Sequence, residues 1–182
     1  MEIEKTQIKD VLLIRPKVFG DSRGYFQETY HQQRYTDAGI PGIFVQDNIS
    51  CSLRGVLRGL HWQAPQGQGK LVSVLSGEVF DVAVDIRVDS PTFGIWVGRL
   101  LSEANHHQLW IPPGLAHGFC VTSEQALFSY KCTAFYDPSA EKCIRWDDAQ
   151  LDIQWPISDP VVSEKDRKAM SFEQALGGHF VN

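Results

Sequence analysis

Apolar and polar residues alternate along much of this chain, in short runs separated by turn residues. The clearest case is the segment 79–86, where Val82, Val84 and Ile86 fall on one face of an extended strand and two aspartates on the other. A period of two residues, with turn-forming residues at short intervals, is typical of antiparallel strands. The pattern therefore predicts a mainly β protein built as an antiparallel sandwich or barrel.

The predicted strands are 11–14, 25–26, 44–49, 56–62, 71–75, 79–86, 94–101, 108–111, 118–121, 126–133 and 142–146. Two helices are predicted, one over 32–39 that ends at Gly39 and Pro41, and one over 163–176. In the second, Ser163 is the expected N-cap and Asp166 the third helical residue. This many strands fits a jelly roll with a ligand in its interior. No repeat or linker is visible, which predicts a single domain over residues 1–182.

Composition narrows the possible partners. Of the 182 residues, 43% are hydrophobic and 21% are charged, as in ordinary globular proteins. The net charge of -5 argues against a nucleic-acid partner, which would require a basic face. The sequence has neither an apolar run of about 18 residues nor the apolar segment of a signal peptide, so we expect no membrane association and a cytoplasmic location. The four cysteines lack zinc-binding spacing, and Cys120 and Cys132 are expected in the core.

Two histidines lie in segments that resemble the halves of a cupin signature. His61 follows Gly55 by six residues, and His117 follows a Pro-Pro-Gly turn at 112–114. A cupin metal site normally uses three histidines and one carboxylate. Here Gln63 occupies the second histidine position, and the expected carboxylate position near 67–68 is not acidic. Because a stable divalent site in such a barrel needs at least three protein ligands, we expect no metal and no other cofactor.

His61 is the first candidate for chemistry, although a purely structural histidine is about equally compatible with its position. On a strand it shares a face with Gln63, whereas Arg58 lies one residue out of phase beside Gly59, which could shift the register. Lys70 begins an apolar strand after a glycine-rich turn, which weakens its interpretation as a solvated surface charge.

Tyr130 and Asp166 have ordinary explanations as well. A strand residue such as Tyr130 is usually part of the core, with its hydroxyl hydrogen-bonded. Asp166 could simply favour the start of a helix.

Ordered sequence blocks give these candidates a context. The blocks are GDxRGxF (20–26), QDN (46–48), LRGLH (57–61), GKLV (69–72), GEVFDVAVDIR (77–87), SPTFG (90–94), IPxGxAHGF (111–119) and YK (130–131). Together they resemble the dTDP-4-dehydrorhamnose 3,5-epimerase family over nearly the whole chain. The resemblance implies a cupin-type antiparallel jelly-roll barrel with a few short peripheral helices. It also implies a homodimer that acts on a dTDP-sugar in dTDP-L-rhamnose synthesis.

The resemblance also implies roles for individual residues. His61 would be the base, Tyr130 the acid, Asp166 the partner of His61, and Lys70 the group that supports an enolate. The residues at substrate-contact positions are Arg23, Phe26, Glu28, Gln46, Asp47, Asn48, Arg58, Gln63, His117, Glu141 and Lys165. Part of the nucleotide site would come from the segment 23–48 of the partner subunit. Phe135 and Tyr136 are alternative candidates for stacking on thymine.

The implied chemistry suits these residue types. Carbons 3 and 5 of a dTDP-4-dehydro-6-deoxy-D-glucose both flank the ketone, so the loss of either proton gives an enolate. A histidine titrates near neutral pH and suits the base, while a fixed cation stabilises the enolate oxygen. Alternative functions are an epimerase acting at carbon 3 or 5 only, a ketoisomerase on a related nucleotide sugar, and a non-catalytic sugar-binding cupin. A metal-dependent oxygenase is disfavoured by Gln63.

Overall fold

The computed structural model describes residues 1–40 and 43–177. The strands in this part of the chain are β1 (Glu2–Lys5), β2 (Leu12–Arg15), β3 (Val18–Asp21), β4 (Gly24–Gln27), β5 (Gln46–Leu53), β6 (Leu57–Gln63), β7 (Lys70–Ser76), β8 (Glu78–Asp85), β9 (Trp96–Ser102), β10 (Gln108–Ile111), β11 (Leu115–Val121), β12 (Gln125–Cys132) and β13 (Glu141–Cys143). The helices are α1 (Gln32–Asp37), α2 (Glu164–Arg167) and α3 (Phe172–Ala175). The protein is therefore mainly β, as the alternating pattern predicts.

Two antiparallel sheets form a jelly roll of the cupin type. One sheet has the strand order β1-β2-β10-β7-β12-β5 and the other has the order β13-β6-β11-β8-β9. Strands β3 and β4 form a separate hairpin. Apolar side chains from both sheets, including Val72, Phe128, Ala83 and Phe119, meet in one buried cluster. The core therefore lies between the two sheets, as in other sandwich folds.

Strand β8 is buried on both faces. Val82 and Val84 pack outward into a second apolar cluster beneath the C-terminal segment, whereas Ala83 faces the core between the sheets. The aspartates that alternate with these residues, Asp81 and Asp85, are also buried. The alternation thus separates two buried faces, and each aspartate needs a partner inside the protein.

Strand boundaries differ from the predicted ones at several functional positions. β11 begins at Leu115, three residues before the predicted start, so His117 lies within a strand and not in the turn before it. β5 covers Gln46–Leu53, since Phe44 packs into an apolar cluster below the sheet and the pairing with β12 continues to Leu53. The first helix forms as predicted over Gln32–Asp37, whereas Pro41 lies outside the described residues.

The prediction of one helix over 163–176 is wrong. Ser163 does cap α2, as expected, but this helix ends at Arg167. Met170 then forms an isolated bridge with Ile144 of the barrel, and Ser171 starts α3 with a capping box that includes Gln174. A second N-cap and a bridge to a strand therefore divide the segment.

Two other predictions concern the cysteines and the absence of membrane-spanning segments. All four cysteines are free, and Cys120 and Cys132 are buried, as predicted. In the described part of the chain, no helix has both the length and the apolar character needed to cross a membrane.

Asp85 is held in a dense polar network at the end of β8. Its carboxylate accepts hydrogen bonds from the guanidinium of Arg87 and from the hydroxyls of Ser90 and Thr92. Although burial opposes ionisation, these hydrogen bonds lower the pKa of Asp85 to about 2. The ionised form of this aspartate therefore stabilises the fold.

We predict that Asp85→Asn lowers the free energy of unfolding at pH 7 by about 2 kcal/mol. The pKa is lower in the folded than in the unfolded state, so the stabilisation is present above about pH 4 and is lost as the pH falls towards 2. Urea unfolding of both proteins at several pH values measures this difference. Asp89→Asn, at an exposed neighbouring position, is the control. A difference between Asp85→Asn and the native chain that persists unchanged at pH 2 would contradict this account.

Candidate active site

A cavity of about 490 Å³ opens at one end of the two sheets. Polar and charged side chains from both sheets and from α2 line it. Those relevant to the predicted chemistry are Arg58, His61, Lys70, His117, Tyr130, Lys165 and Asp166. All four predicted catalytic residues therefore share one cavity, together with three of the predicted substrate-contact residues.

An irregularity in β6 brings Arg58 and His61 to the cavity. Arg58 lies opposite Phe119, and His61 lies opposite His117. The pairing thus advances by three residues on β6 for two residues on β11, which is a β-bulge. A side chain at Gly59 would place its Cβ 2.5 Å from the Cα of Gly118, so only glycine fits this bulge. The register shift suggested by Gly59 is confirmed.

His61 and Asp166 form a close pair. The imidazole Nε2 lies 2.6 Å from Oδ1 of Asp166, and Oδ2 of Asp166 accepts the Gly59 N–H at 3.4 Å. The carboxylate is almost fully buried, with 3% of the side chain exposed. Burial alone would raise the pKa of Asp166, but the hydrogen bond from His61 and its charge keep the pKa below its ordinary value. An ionised Asp166 thus holds Nε2–H in place and leaves Nδ1 as the basic nitrogen.

Lys70 and Tyr130 lie on the opposite sheet. Lys70 begins β7 opposite Cys132, and Tyr130 is two residues before Cys132 on β12, so both side chains project into the cavity. Burial lowers the pKa of Lys70 and raises that of Tyr130, which keeps the phenol protonated at neutral pH. In the described part of the chain no ion pair or hydrogen bond occupies either polar group. Both groups are therefore available to a ligand.

His117 has a different environment from His61. Its Nε2 lies 2.9 Å from Oδ2 of Asp81, and both side chains are buried. Burial lowers the pKa of His117, although the charge of Asp81 and the hydrogen bond to it act in the opposite direction. The smaller effects of Lys70 and His61 add to that of burial. His117 is therefore a neutral hydrogen-bonding group on the cavity wall, oriented by Asp81.

A narrower cleft continues from the cavity past Tyr130. Gln63, Tyr136 and Glu141 line it, and Gln46 and Asn48 lie at its outer end. The Tyr136 hydroxyl donates to Glu141, and Lys165 pairs with the same carboxylate. Of the two aromatic candidates for base stacking, Tyr136 lines the cleft. Both rings are exposed, Tyr136 by 50% and Phe135 by 71%.

Four predicted contact residues lie away from this cavity and cleft. Arg23 pairs with Asp21 at the tip of the β3–β4 hairpin, and Glu28 pairs with Arg34. Phe26 lines a separate depression beside β7, and Asp47 pairs with Lys131 on the outside of the sheet. All four of these residues belong to the early segment 23–48, whereas Gln46 and Asn48 of that segment line the cleft of their own chain.

Two residues that sequence reasoning did not assign to the site contact its central groups. Asp81 is the partner of His117, and the Cys143 thiol donates to Oδ1 of Asp166 at 3.6 Å. The alternation in β8 marked Asp81 as part of a regular face, but only the register with β11 places it beside His117. No pattern in the sequence indicates the contact of Cys143.

Known proteins resemble the chain over most of its length. A family model described as dTDP-4-dehydrorhamnose 3,5-epimerase matches residues 5–174. Enzymes of that name from Pseudomonas aeruginosa and Shigella flexneri are 56% and 54% identical, and each match covers 96% of this chain and 98% of the relative. The crystal structure of the 3,5-epimerase from Legionella pneumophila, in complex with dTDP-4-keto-L-rhamnose, is 54% identical with a TM-score of 0.92. That match covers 94% of this chain and 93% of the other.

Fold, cavity and sequence thus agree with the family that the ordered blocks resemble. The identities exceed one half over nearly complete chains, and the cavity contains an imidazole–carboxylate pair opposite a lysine and a phenol. This chain belongs to the dTDP-4-dehydrorhamnose 3,5-epimerase family.

Proposed function

We propose that this protein converts dTDP-4-dehydro-6-deoxy-D-glucose to dTDP-4-dehydro-L-rhamnose, within dTDP-L-rhamnose biosynthesis. It does so by inverting carbons 3 and 5 of the sugar. Family membership supports the reaction, and the observation that carries the mechanism is the distribution of groups over the cavity. His61 with Asp166 stands on one wall, and Tyr130 with Lys70 stands on the other. Inversion requires this arrangement because one face of the ring loses a proton and the opposite face gains one.

His61 is the proposed base. Asp166 engages Nε2, so Nδ1 takes the proton from carbon 3 or carbon 5, and the resulting imidazolium is stabilised by the adjacent carboxylate. The electron pair left on carbon moves onto the ketone oxygen as an enolate. A preorganised donor at such an oxygen contributes about 3–4 kcal/mol to the transition state. The ammonium of Lys70, which has no ion-pair partner in the described residues, is the proposed donor.

Tyr130 is the proposed acid. Its raised pKa keeps the hydroxyl protonated, and its position on β12 directs it towards the ring from the side opposite to His61. It delivers a proton to the carbanion carbon, and the enolate returns to the ketone. Because both carbons flank the same carbonyl, rotation or reseating of the ring presents the second carbon to the same pair of groups.

The nucleotide part needs cationic and aromatic contacts. Arg58 is exposed at the mouth of the cavity, with its Nε donating to Ser52, so its remaining N–H groups can bind diphosphate oxygens. Tyr136 is the proposed stacking partner for thymine, since it lines the cleft that continues from Tyr130. Gln63, His117, Glu141 and Lys165 complete the polar contacts along the same path.

We further propose a homodimer in which each subunit completes the site of the other. The β3–β4 hairpin exposes aromatic rings, including 68% of Phe26, and the outer face of β5 exposes Ile49 and Leu53. Exposed apolar surfaces of this kind are typical of interfaces between subunits. Arg23, Phe26, Glu28 and Asp47 would then contact the substrate held by the partner. The reduced cysteines are compatible with a cytoplasmic enzyme, and the shared core supports a single domain.

We predict that His61→Asn abolishes the incorporation of solvent deuterium at carbons 3 and 5, because no other group would remove these protons. Proton NMR of the dTDP-sugar in heavy water measures the exchange. His31→Asn, at the exposed N-cap of α1, is the matched control and should exchange normally. Normal exchange by His61→Asn would exclude His61 as the base.

For Tyr130→Phe we predict a separation of the two half-reactions. Exchange with solvent continues because His61 is intact, but inversion falls by about 10²–10⁴-fold because the opposite-face proton donor is missing. NMR of product stereochemistry is compared with deuterium content in the same samples. Tyr30→Phe removes a hydroxyl outside the cavity and serves as the control. Full inversion by Tyr130→Phe would remove this tyrosine from the mechanism.

A shared site predicts complementation between impaired subunits. An Arg23→Ala subunit paired with a His61→Asn subunit has one site with both residues intact, so about half of the native turnover should return. Differently tagged chains, expressed together and purified through both tags, provide the mixed dimer. A mixed dimer that is no more active than its two parent homodimers would show that Arg23 serves its own chain.

A further inference from the structure

A thiol lies directly beside the imidazole–carboxylate pair. Cys143 on β13 is paired in register with His61 on β6, and residues opposite each other in an antiparallel pair project from the same face. Its Sγ lies 3.6 Å from Oδ1 of Asp166, the oxygen that also contacts His61. One ligand atom from each of the three side chains lies within 4.8 Å of the others. This cluster consists of one sulfur, one nitrogen and one oxygen, which are the donor types of zinc sites.

One of the three separations already matches a tetrahedral site, and a second lies within about 1 Å of the required value. Zinc bonds of about 2.0–2.3 Å place neighbouring ligand atoms about 3.4–3.6 Å apart. The distance between Cys143 Sγ and Asp166 Oδ1 already has this value. The contact between His61 Nε2 and Asp166 Oδ1, at 2.6 Å, must widen by about 0.8 Å, which a small rotation of the ring achieves. His61 borders the cavity, so water can reach the fourth position.

Charge also balances at this position. A thiolate and a carboxylate together neutralise one divalent ion, which matters because Asp166 is almost fully buried. Lys165, whose charge acts on Cys143, is paired with Glu141 and thus contributes little uncompensated charge. Metal binding displaces the proton of the Cys143 thiol to solvent, and coordinated thiols are deprotonated.

We propose that His61, Cys143 and Asp166 form an inhibitory zinc site. When zinc occupies Nε2 of a neutral imidazole, the single ring proton resides on Nδ1. Nδ1 is the nitrogen that takes the substrate proton in the mechanism above, so the metal converts the base into an N–H donor. The protein gains the zinc ion and loses the thiol proton to solvent, while the ring proton moves from Nε2 to Nδ1. The inhibitory effect rests on the proposed function, whereas the binding site itself does not.

Cobalt provides a direct test of the ligand set. Titration of the intact protein with Co²⁺ should give the charge-transfer absorption of a thiolate–cobalt bond, and Zn²⁺ should displace it. Cys143→Ala should lose this absorption and bind Zn²⁺ at least about tenfold more weakly, since even outer-shell changes have effects of this size. Cys51→Ala, which removes the exposed thiol on β5, is the matched control and should keep both properties. Unchanged absorption in Cys143→Ala would overturn the site.

Turnover tests the consequence of binding. Zn²⁺ should inhibit the native chain and Cys51→Ala equally. Cys143→Ala should require at least about tenfold more Zn²⁺ for the same fractional inhibition, with its own zinc-free rate as the reference. Equal sensitivity of all three proteins would overturn the inhibitory role. If the zinc-free protein shows no epimerisation at all, the proposed function fails, while the cobalt spectrum still decides whether the metal site exists.

Discussion

The hydrogen bond between His61 Nε2 and Asp166 Oδ1 joins two parts of the chain that are far apart in sequence. Asp166 lies on a helix of only four residues, which has little stability of its own. Its position is therefore set by tertiary contacts, namely the bridges between Val161 and Val56 and between Met170 and Ile144. The two bridges flank α2 and fix its start against β6. The geometry of the proposed base and its carboxylate partner thus depends on how the C-terminal segment attaches to the barrel.

Buried charge imposes a second constraint on the same region. Asp166 lines the cavity, Glu141 lines the adjoining cleft, and Asp81 contacts His117 on the cavity wall. Each carboxyl group thus has a nitrogen partner, respectively His61, Lys165 and His117. Lys70 has no such direct partner in the described residues, and burial lowers its pKa. A desolvated cation that faces an open cavity interacts strongly with any negative charge that develops there. The ammonium of Lys70 would therefore stabilise the negative charge of an enolate that forms in the cavity.

Local alternation was sufficient to predict most of the strands in the described residues, although β1 and β3 were not predicted. The resemblance to a family, and not a local pattern, selected the four catalytic candidates that share the cavity. Alternation located most strands to within two or three residues, and the blocks around His61, Lys70 and Tyr130 carry family-specific residues. Contacts between distant segments leave no such local pattern. The break between α2 and α3 follows from the bridge of Met170 to Ile144, and the proximity of Cys143 to Asp166 follows from the register of β13.

The two-sheet architecture explains why a cupin barrel suits opposite-face proton transfer. The cavity of about 490 Å³ is lined by side chains of both sheets, so a ligand bound there lies between the two sheets. His61 comes from one sheet and Tyr130 from the other, so the backbone separation itself assigns them to opposite faces of a ligand. In the proposed mechanism, inversion at one carbon therefore requires no movement of the protein between the two proton transfers. In the proposed mechanism the fold supplies the geometry, and the electrostatic stabilisation of the intermediate is assigned to Asp166 and Lys70, which both line the cavity.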